Sequence, residues 1–367
     1  MSKLSTLLYV ICVLTVVCSA SAAAEILIAT AAPMSGRYAW MGEQYKRGTE
    51  MAVADLNAAG GVLGQKVRLV IGDDGCDADQ AVAVANKFAS DGVIFVAGHF
   101  CSGASIPASK VYEQTGILMI SPSSTNPRLT DEGGANVFRV SGRDDQQGVV
   151  AGDYLADNYS ANKIAILHDR TAYGEGLAEE TRKQLNRRGV TEAMYAAYAP
   201  GEADYSPLVS KMRTAGIDVV YVGGYSTEAA LIVRQAHDLG YEFQLVSGDA
   251  VVTEDFWLIA GAAGEGTLMT FFPDPRDNPE AMTVVKRFRA QNFEPEGYTL
   301  YAYGAVQTWA QAAAKARSLE LDAMIASLRG NAFETVLGEL RFDDKGDITT
   351  PSFAWYVWNN GQYVPLD

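Results

Sequence analysis

Seven side chains suggest chemistry by their type and spacing. Ser102, Ser123, Ser124 and Thr125 are hydroxyls in two segments of small residues, Cys101-Ser102-Gly103-Ala104-Ser105 and Pro122-Ser123-Ser124-Thr125-Asn126-Pro127. Each segment follows an apolar run, and the first opens a helical pattern. Hydroxyls and free backbone N–H groups at a helix N-terminus make a site for a carboxylate. The same residues also serve as plain caps and turns. Tyr173, Tyr225 and Asp249 form a second group, each just after another apolar run. An acid beside aromatic rings suits an ammonium group, through ion pairing and cation–π attraction. A solvated acid with interfacial tyrosines is the plainer account. Together the two groups describe a zwitterion, its carboxylate at one and its ammonium at the other.

The elements that must position these residues alternate. Strands are expected at 26–31, 66–73, 93–98 and 117–121, with helices at 42–59, 78–90 and from Ser102 onward. Near Arg143 the pattern restarts: helices at 145–158, 174–188, 205–215 and 226–239 alternate with strands at 163–168, 191–197, 218–223 and 243–247. The strands are continuous apolar runs, which marks parallel strands covered by helices on both faces. Two α/β sets in succession predict two doubly wound, Rossmann-like lobes. Ligands of such sheets bind outside the carboxyl ends of the strands, where the seven residues fall. Further helices are expected at 279–293 and 298–317, and short strands between Phe333 and Trp358.

Composition and motif content exclude several functions. The 367 residues are 48% hydrophobic and 20% charged, a globular balance of a length that suggests about two domains. A net charge of −15 is unsuited to a phosphate backbone or an anionic membrane, so no nucleic-acid partner is expected. No Walker-type Gly-Lys-Ser/Thr, Gly-x-Ser-x-Gly or His-Glu-x-x-His occurs. Gly174-Glu175-Gly176 has Glu179 where a dinucleotide loop wants a third small residue, and reads as a helix start. Three histidines and no Cys-x-x-Cys argue against a zinc site, and no metal or cofactor is expected.

The N-terminus reads as an export signal over residues 1–23. Lys3 precedes an apolar stretch from Leu7 to Cys18 and the small-residue run Ser19–Ala24, with cleavage expected after Ala22, Ala23 or Ala24. Lipidation of Cys18 is disfavoured by the bulk of Val17. About a dozen apolar residues are too few to span a bilayer, so no membrane insertion is expected. Cys76 and Cys101 remain after cleavage, and in an oxidising compartment two cysteines most simply form one disulfide. The alternative is a Cys101–His99 nucleophile, which needs Cys101 reduced.

The stretches Pro33-Met34-Ser35-Gly36, Asp74-Gly75-Cys76-Asp77, Gln80 to Lys87, Gly98-His99-Phe100-Cys101-Ser102, Gly116 to Pro122, Thr125-Asn126-Pro127, Tyr173-Gly174-Glu175-Gly176, Gly223-Gly224-Tyr225 and Asp343 to Asp347 form one set along the mature chain. In them the chain resembles the periplasmic leucine/isoleucine/valine-binding proteins, the solute receptors of ABC importers. The resemblance implies a type I periplasmic binding fold whose chain crosses a hinge more than once. Lobe 1 would take residues 24–142 and 273–349, and lobe 2 residues 143–272 and 350–367. It also implies a Cys76–Cys101 disulfide. Ser102 and Thr125, with the backbone near Ser123 and Ser124, would hold the ligand carboxylate. Tyr173 and Tyr225 would be aromatic walls, and Asp249 would take the place of the usual glutamate for the ammonium. The implied partners are a neutral aliphatic amino acid and separate permease and ATPase chains, with no enzymatic activity.

Three departures from the family bear on ligand size. Asp249 is one methylene shorter than Glu. Phe100 replaces a smaller aliphatic residue, and Met41, beside Trp40, stands where many relatives place an aromatic ring. A Phe100 that points inward would favour alanine, valine, proline or 4-aminobutyrate over leucine. Rival readings are a sensor built on the same fold, an enzyme with a carboxylate-based site, and a receptor for another small carboxylate such as an aromatic acid.

Overall fold

The computed structural model describes residues 25–350 and 352–366. The expected signal segment, with Cys12 and Cys18, lies outside the described residues. The first sheet holds β1 (Ile26–Ala32), β2 (Val67–Asp73), β3 (Phe95–Gly98), β4 (Leu118–Ser121) and β5 (Val137–Arg139), all parallel, in the order β2-β1-β3-β4-β5. The second begins with β6 (Ile164–His168), β7 (Met194–Ala197), β8 (Val219–Gly223), β9 (Gln244–Ser247) and β10 (Leu268–Phe271). These repeat the same order, β7-β6-β8-β9-β10. A hairpin of β11 (Phe333–Thr335) and β12 (Gly338–Leu340) follows, and then β13 (Ala354–Asn359) and β14 (Gln362–Pro365) extend the second sheet antiparallel beyond β10.

Strand order reverses at β1 and at β6, so helices before and after each reversal cover opposite faces. Helix Ala39–Ala58 packs against helix Thr299–Ala316, and helix Ala78–Asp91 against helix Ser102–Thr115. Their burial explains the apolar strands: every residue of β3, β4, β6 and β8 is buried. Phe95 stacks on Trp309 at 5.1 Å, and each such buried side chain contributes about 1.5–3 kcal/mol. Gly98 ends β3 because a Cβ there would come within 2.7 Å of the Ala31 carbonyl oxygen on β1.

The chain passes between the sheets three times. After β5 it enters helix Asp144–Tyr159, which packs on helix Ala172–Arg187. After β10 it returns to helix Thr299–Ala316 against the first sheet, and after β12 it goes back to β13. Buried ion pairs join the first and third passages. Arg139 Nε donates to Asp347 Oδ1 at 2.6 Å and Arg143 Nη1 to Asp347 Oδ2 at 2.7 Å. Arg139 is fully buried, and its Nη1 and Nη2 groups donate to the Ser124 and Asn126 carbonyls and the Thr130 hydroxyl, so four of its five N–H donors are used.

Several short elements differ from the expected ones. β5, β10, helix Glu254–Ala260 and helix Leu321–Gly330 have three to ten residues and no legible period. The expected helix over 279–293 is a 3₁₀ turn at Pro279–Ala281 followed by helix Met282–Ala290.

Candidate functional site

The two sheets turn the carboxyl ends of their strands toward each other. On the first lobe, β3 runs into the N-terminus of helix Ser102–Thr115, whose cap, Cys101, makes no side-chain cap bond. Cys101 is bonded to Cys76, which closes the nucleophile alternative for Cys101 and His99. His99 instead lies fully buried, with Nδ1 2.6 Å from Asp74 Oδ2 and Nε2 2.8 Å from the Tyr112 hydroxyl. That pairing fixes the backbone just before Phe100 and Ser102.

The loop after β4 is held by its own chain. Arg139 Nη1 donates to the carbonyls of Ser124 at 2.8 Å and Asn126 at 3.1 Å, and the Asp144 N–H donates to the Thr125 carbonyl at 2.9 Å. The Ser123 hydroxyl bonds the Phe100 carbonyl at 3.0 Å and shares a hydrogen bond with Tyr45. The Ser102 hydroxyl accepts from the Asn126 N–H at 3.3 Å.

On the second lobe, Thr171 caps helix Ala172–Arg187 by accepting from the Gly174 N–H at 3.0 Å. Gly174-Glu175-Gly176 is therefore the first turn of a helix. A Cβ on Gly174 would lie 2.3 Å from Asp169 Oδ1 and 2.5 Å from the Gly223 carbonyl, so glycine lets the helix seat Tyr173 close against the strand ends. Tyr225 follows β8 and Asp249 follows β9. Asp249 is 2% exposed. Its Oδ1 accepts from the Tyr173 hydroxyl at 2.8 Å, and its Oδ2 accepts from the Tyr298 hydroxyl. Burial pushes its carboxyl above the usual carboxylate range, while these two phenols pull the other way.

Between the lobes lies a cavity of about 10 Å³ lined by Phe100, Ser102, Ser123, Tyr173, Tyr225, Asp249, Ala250 and Tyr298. Six of the ten residues singled out from sequence thus meet at one point. The other four stand back from it. The Ser124 hydroxyl is occupied by Ser105 and by the Phe100 carbonyl at 2.9 Å. Thr125 is fully buried behind the wall, its hydroxyl without a partner. Met41 is fully buried in the core at the start of helix Ala39–Ala58, and Trp40 beside it is half-buried. Neither lines the cavity.

Sequence reasoning missed Tyr298, which precedes helix Thr299–Ala316 and reaches the site because that helix returns to the first lobe. It also missed a contact across the mouth. Glu228, 1% exposed on the second lobe, accepts from Arg37 Nη1 and from the Tyr38 hydroxyl of the first lobe, both at 3.1 Å, and from the Gly201 N–H at 3.0 Å. Tyr38 also packs on Tyr225, with ring centroids 4.7 Å apart. Wider clefts lie elsewhere, one of about 590 Å³ near Ile26, Ile94 and Leu118. That cleft adjoins the amino ends of the strands, where a doubly wound sheet offers no ligand site.

Known proteins share this architecture. The chain is 49% identical over 342 residues to a Leu/Ile/Val-binding protein homolog of Brucella suis, covering 93% of this chain and 92% of that protein. The leucine binding protein LivK of Thermotoga maritima superposes with a TM-score of 0.86 at 25% identity, over 93% of this chain and 98% of that one. LivJ of Streptococcus pneumoniae, solved with isoleucine, superposes at 0.83 with 26% identity, over 94% and 100%. The periplasmic binding protein family matches residues 25–362, and with these relatives it shows that the chain belongs to that family, among its branched-chain amino acid binding members.

Proposed function

We propose that this chain is the exported receptor of an ABC importer and closes on a small neutral amino acid, of the size of alanine, valine, proline or 4-aminobutyrate. The observation that carries the reading is the Asp249 carboxylate, buried at the cavity with neutral partners, the Tyr173 and Tyr298 phenols and the Gln147 amide. Among the described residues lining that cavity there is no Lys, Arg or His. A buried carboxylate without a counter-charge suits a cationic ligand group. Ser102 at the head of helix Ser102–Thr115 and Ser123 in the loop after β4 take the carboxylate, with Thr125 and the backbone of that loop behind them.

Size selection follows from the rings. Phe100 is 5% exposed and stands with its ring centroid 5.5 Å from that of Tyr298 and 5.9 Å from that of Tyr225, narrowing the site from both lobes. One methylene in such a pocket is worth about 1–3 kcal/mol, so leucine binds more weakly than valine. The lobes are residues 24–142 with 273–349, and 143–272 with 350–367. Permease and ATPase are taken to be separate chains: among the described residues no helix is long and apolar enough to cross a membrane, and the sequence holds no Gly-Lys-Ser/Thr.

A thermal-shift and calorimetry panel of alanine, valine, proline, 4-aminobutyrate, leucine and benzoate tests the reading, because a ligand bound only by the native state raises the melting temperature. The small amino acids bind most tightly, and Asp249→Asn weakens them well over tenfold. Benzoate stabilising the protein while no amino acid does so would overturn it.

A further inference from the structure

Asp169 is a buried acid just after β6, close to the contact that joins the two lobes at the mouth. Its Oδ1 accepts from the Thr171 N–H at 2.9 Å and from the Thr171 hydroxyl at 2.7 Å. Its Oδ2 is buried with no partner on another residue, and the Tyr198 hydroxyl is buried and unpartnered as well. Both atoms crowd one backbone position. A Cβ on Gly224 would meet the Tyr198 hydroxyl and, at 3.2 Å, Asp169 Oδ2.

The elements packed around Asp169 bring it acid and phenol. Glu228, in the first turn of helix Ser226–Asp238, is the charge that acts on it most. The phenols of Tyr38, Tyr198 and Tyr225 lie in its field, while Tyr205 turns its hydroxyl to the Ala199 carbonyl at 2.8 Å. The cations are engaged elsewhere. Arg37 donates to Glu228, Arg170 is exposed, Arg182 covers the Tyr195 ring, and His168 stacks on that same ring.

The first lobe covers this acid from two sides when shut. Tyr38 donates to Glu228 on one side, and Asn126 Nδ2 donates to the Ala172 carbonyl at 2.6 Å on the other. Opening withdraws both residues and lets water reach residues 169–172. In the shut form two buried acids share the one cation Arg37. Glu228 accepts three donors, from Arg37, Tyr38 and the Gly201 N–H, whereas Asp169 Oδ2 has none from a neighbour. A buried acid that lacks donors beside a second acid favours its neutral form. Burial first pushes the Asp169 carboxyl from its ordinary 3.8 up to about 6, and Glu228 adds to this, while Thr171 and its own N–H oppose it.

We propose that the lobes close with uptake of a proton at Asp169, so that the shut receptor holds a neutral Asp169 beside a charged Glu228. The inference rests on the reading that the lobes close on an amino acid, and it adds a regulation to that reading. The shut form holds this proton more tightly than the open one. Closure, and with it affinity, therefore strengthens as pH falls through about 6 and weakens as pH rises. Asp249 works in the opposite sense, since it must be charged to hold an ammonium, so a variant has to separate the two acids.

The test counts protons. Calorimetry in buffers of different ionisation enthalpy, with the tightest amino acid of the panel as probe, gives the number taken up on binding. Wild type takes up about half a proton more than Asp169→Asn at about pH 6, and the two converge at about pH 8. Asn accepts the same two bonds from Thr171 and stands in for the neutral acid. The variant therefore binds about tenfold or more tighter than wild type at about pH 8, and the gap narrows at about pH 5. Glu228→Gln, which removes the neighbouring charge and keeps an acceptor for Tyr38, also lowers the count. A count equal to that of wild type in either variant at about pH 6 overturns the proposal. So does an Asp169→Asn protein that binds within twofold of wild type at about pH 8, or one that no longer binds, which marks a structural role. A wild-type protein that binds no amino acid overturns the functional reading itself, and this inference with it.

Discussion

The contact across the mouth of the site predicts that one hydroxyl governs how long a ligand stays. Tyr38→Phe removes the bond from the Tyr38 hydroxyl to Glu228 and keeps the ring on Tyr225. Glu228 is buried, and a hydrogen bond to a charged group is worth about 1.5–3 kcal/mol net. The Gly201 N–H belongs to the same lobe as Glu228 and stays in place when the lobes part. The Tyr38 bond therefore exists only in the closed form, and its loss shifts the open–closed balance by about tenfold to a hundredfold at 1.4 kcal/mol per decade. Arg37 offers less. Its side chain is 43% exposed, so screening leaves its pair with Glu228 worth about 1 kcal/mol at most. The ligand meets open lobes, which places the effect in release and leaves association nearly unchanged. Stopped-flow displacement of a bound amino acid measures this directly. Tyr38→Phe accelerates release by about tenfold or more, and Arg37→Ala by a smaller, salt-sensitive factor. Release within twofold of wild type for Tyr38→Phe, or an Arg37 effect larger than that of Tyr38, refutes the reasoning.

Two other predictions concern stability. Burial pushes the Glu296 carboxyl from its ordinary 4.5 up to about 7, with Glu254 and Asp255 nearby adding to the effect and the Glu254 N–H and Arg276 opposing it. The native protein thus holds this proton more tightly than the unfolded chain, so the stability contribution is full below about pH 4.5 and is lost as pH rises through about 7. Glu296→Gln accordingly melts higher than wild type at pH 8 with little difference at pH 4.5, in scanning calorimetry; an equal gap at both pH values would count against it. The Cys76–Cys101 bond closes a loop of sequence separation 25, worth about 3 kcal/mol in the chain-entropy model. A Cys76→Ser/Cys101→Ser variant loses about that much in denaturant unfolding, and because Cys101 heads the helix that carries Ser102, its ligand affinity drops as well.

What was legible in the sequence was what is local. The apolar runs of β1, β3, β4, β6, β8 and β9 and the small or turn-forming residues after them are neighbours along the chain, so their order and strand ends placed Ser102, Ser123, Tyr173, Tyr225 and Asp249 near one another. β5, with three residues, is too short to show a period, and Leu321–Gly330 is one modest helix of ten residues. The missed site residues have a different cause. Tyr298 reaches Asp249 across 49 residues, Tyr38 reaches Glu228 across 190, and Arg139 reaches Asp347 across 208. The first and last of these contacts exist because the chain returns between the lobes and the second because the lobes meet, and no periodicity in a window of a dozen residues records either. Asp144 shows the same limit more sharply. In sequence it is one of two adjacent acids at a helix start, where acids are welcome on the exposed first turn. Only the fold separates the pair: Asp145 faces Arg143, while Asp144 is fully buried against the loop that carries Thr125. A residue whose type fits a bland local role and whose burial contradicts it is where a local reading stops and a site argument begins.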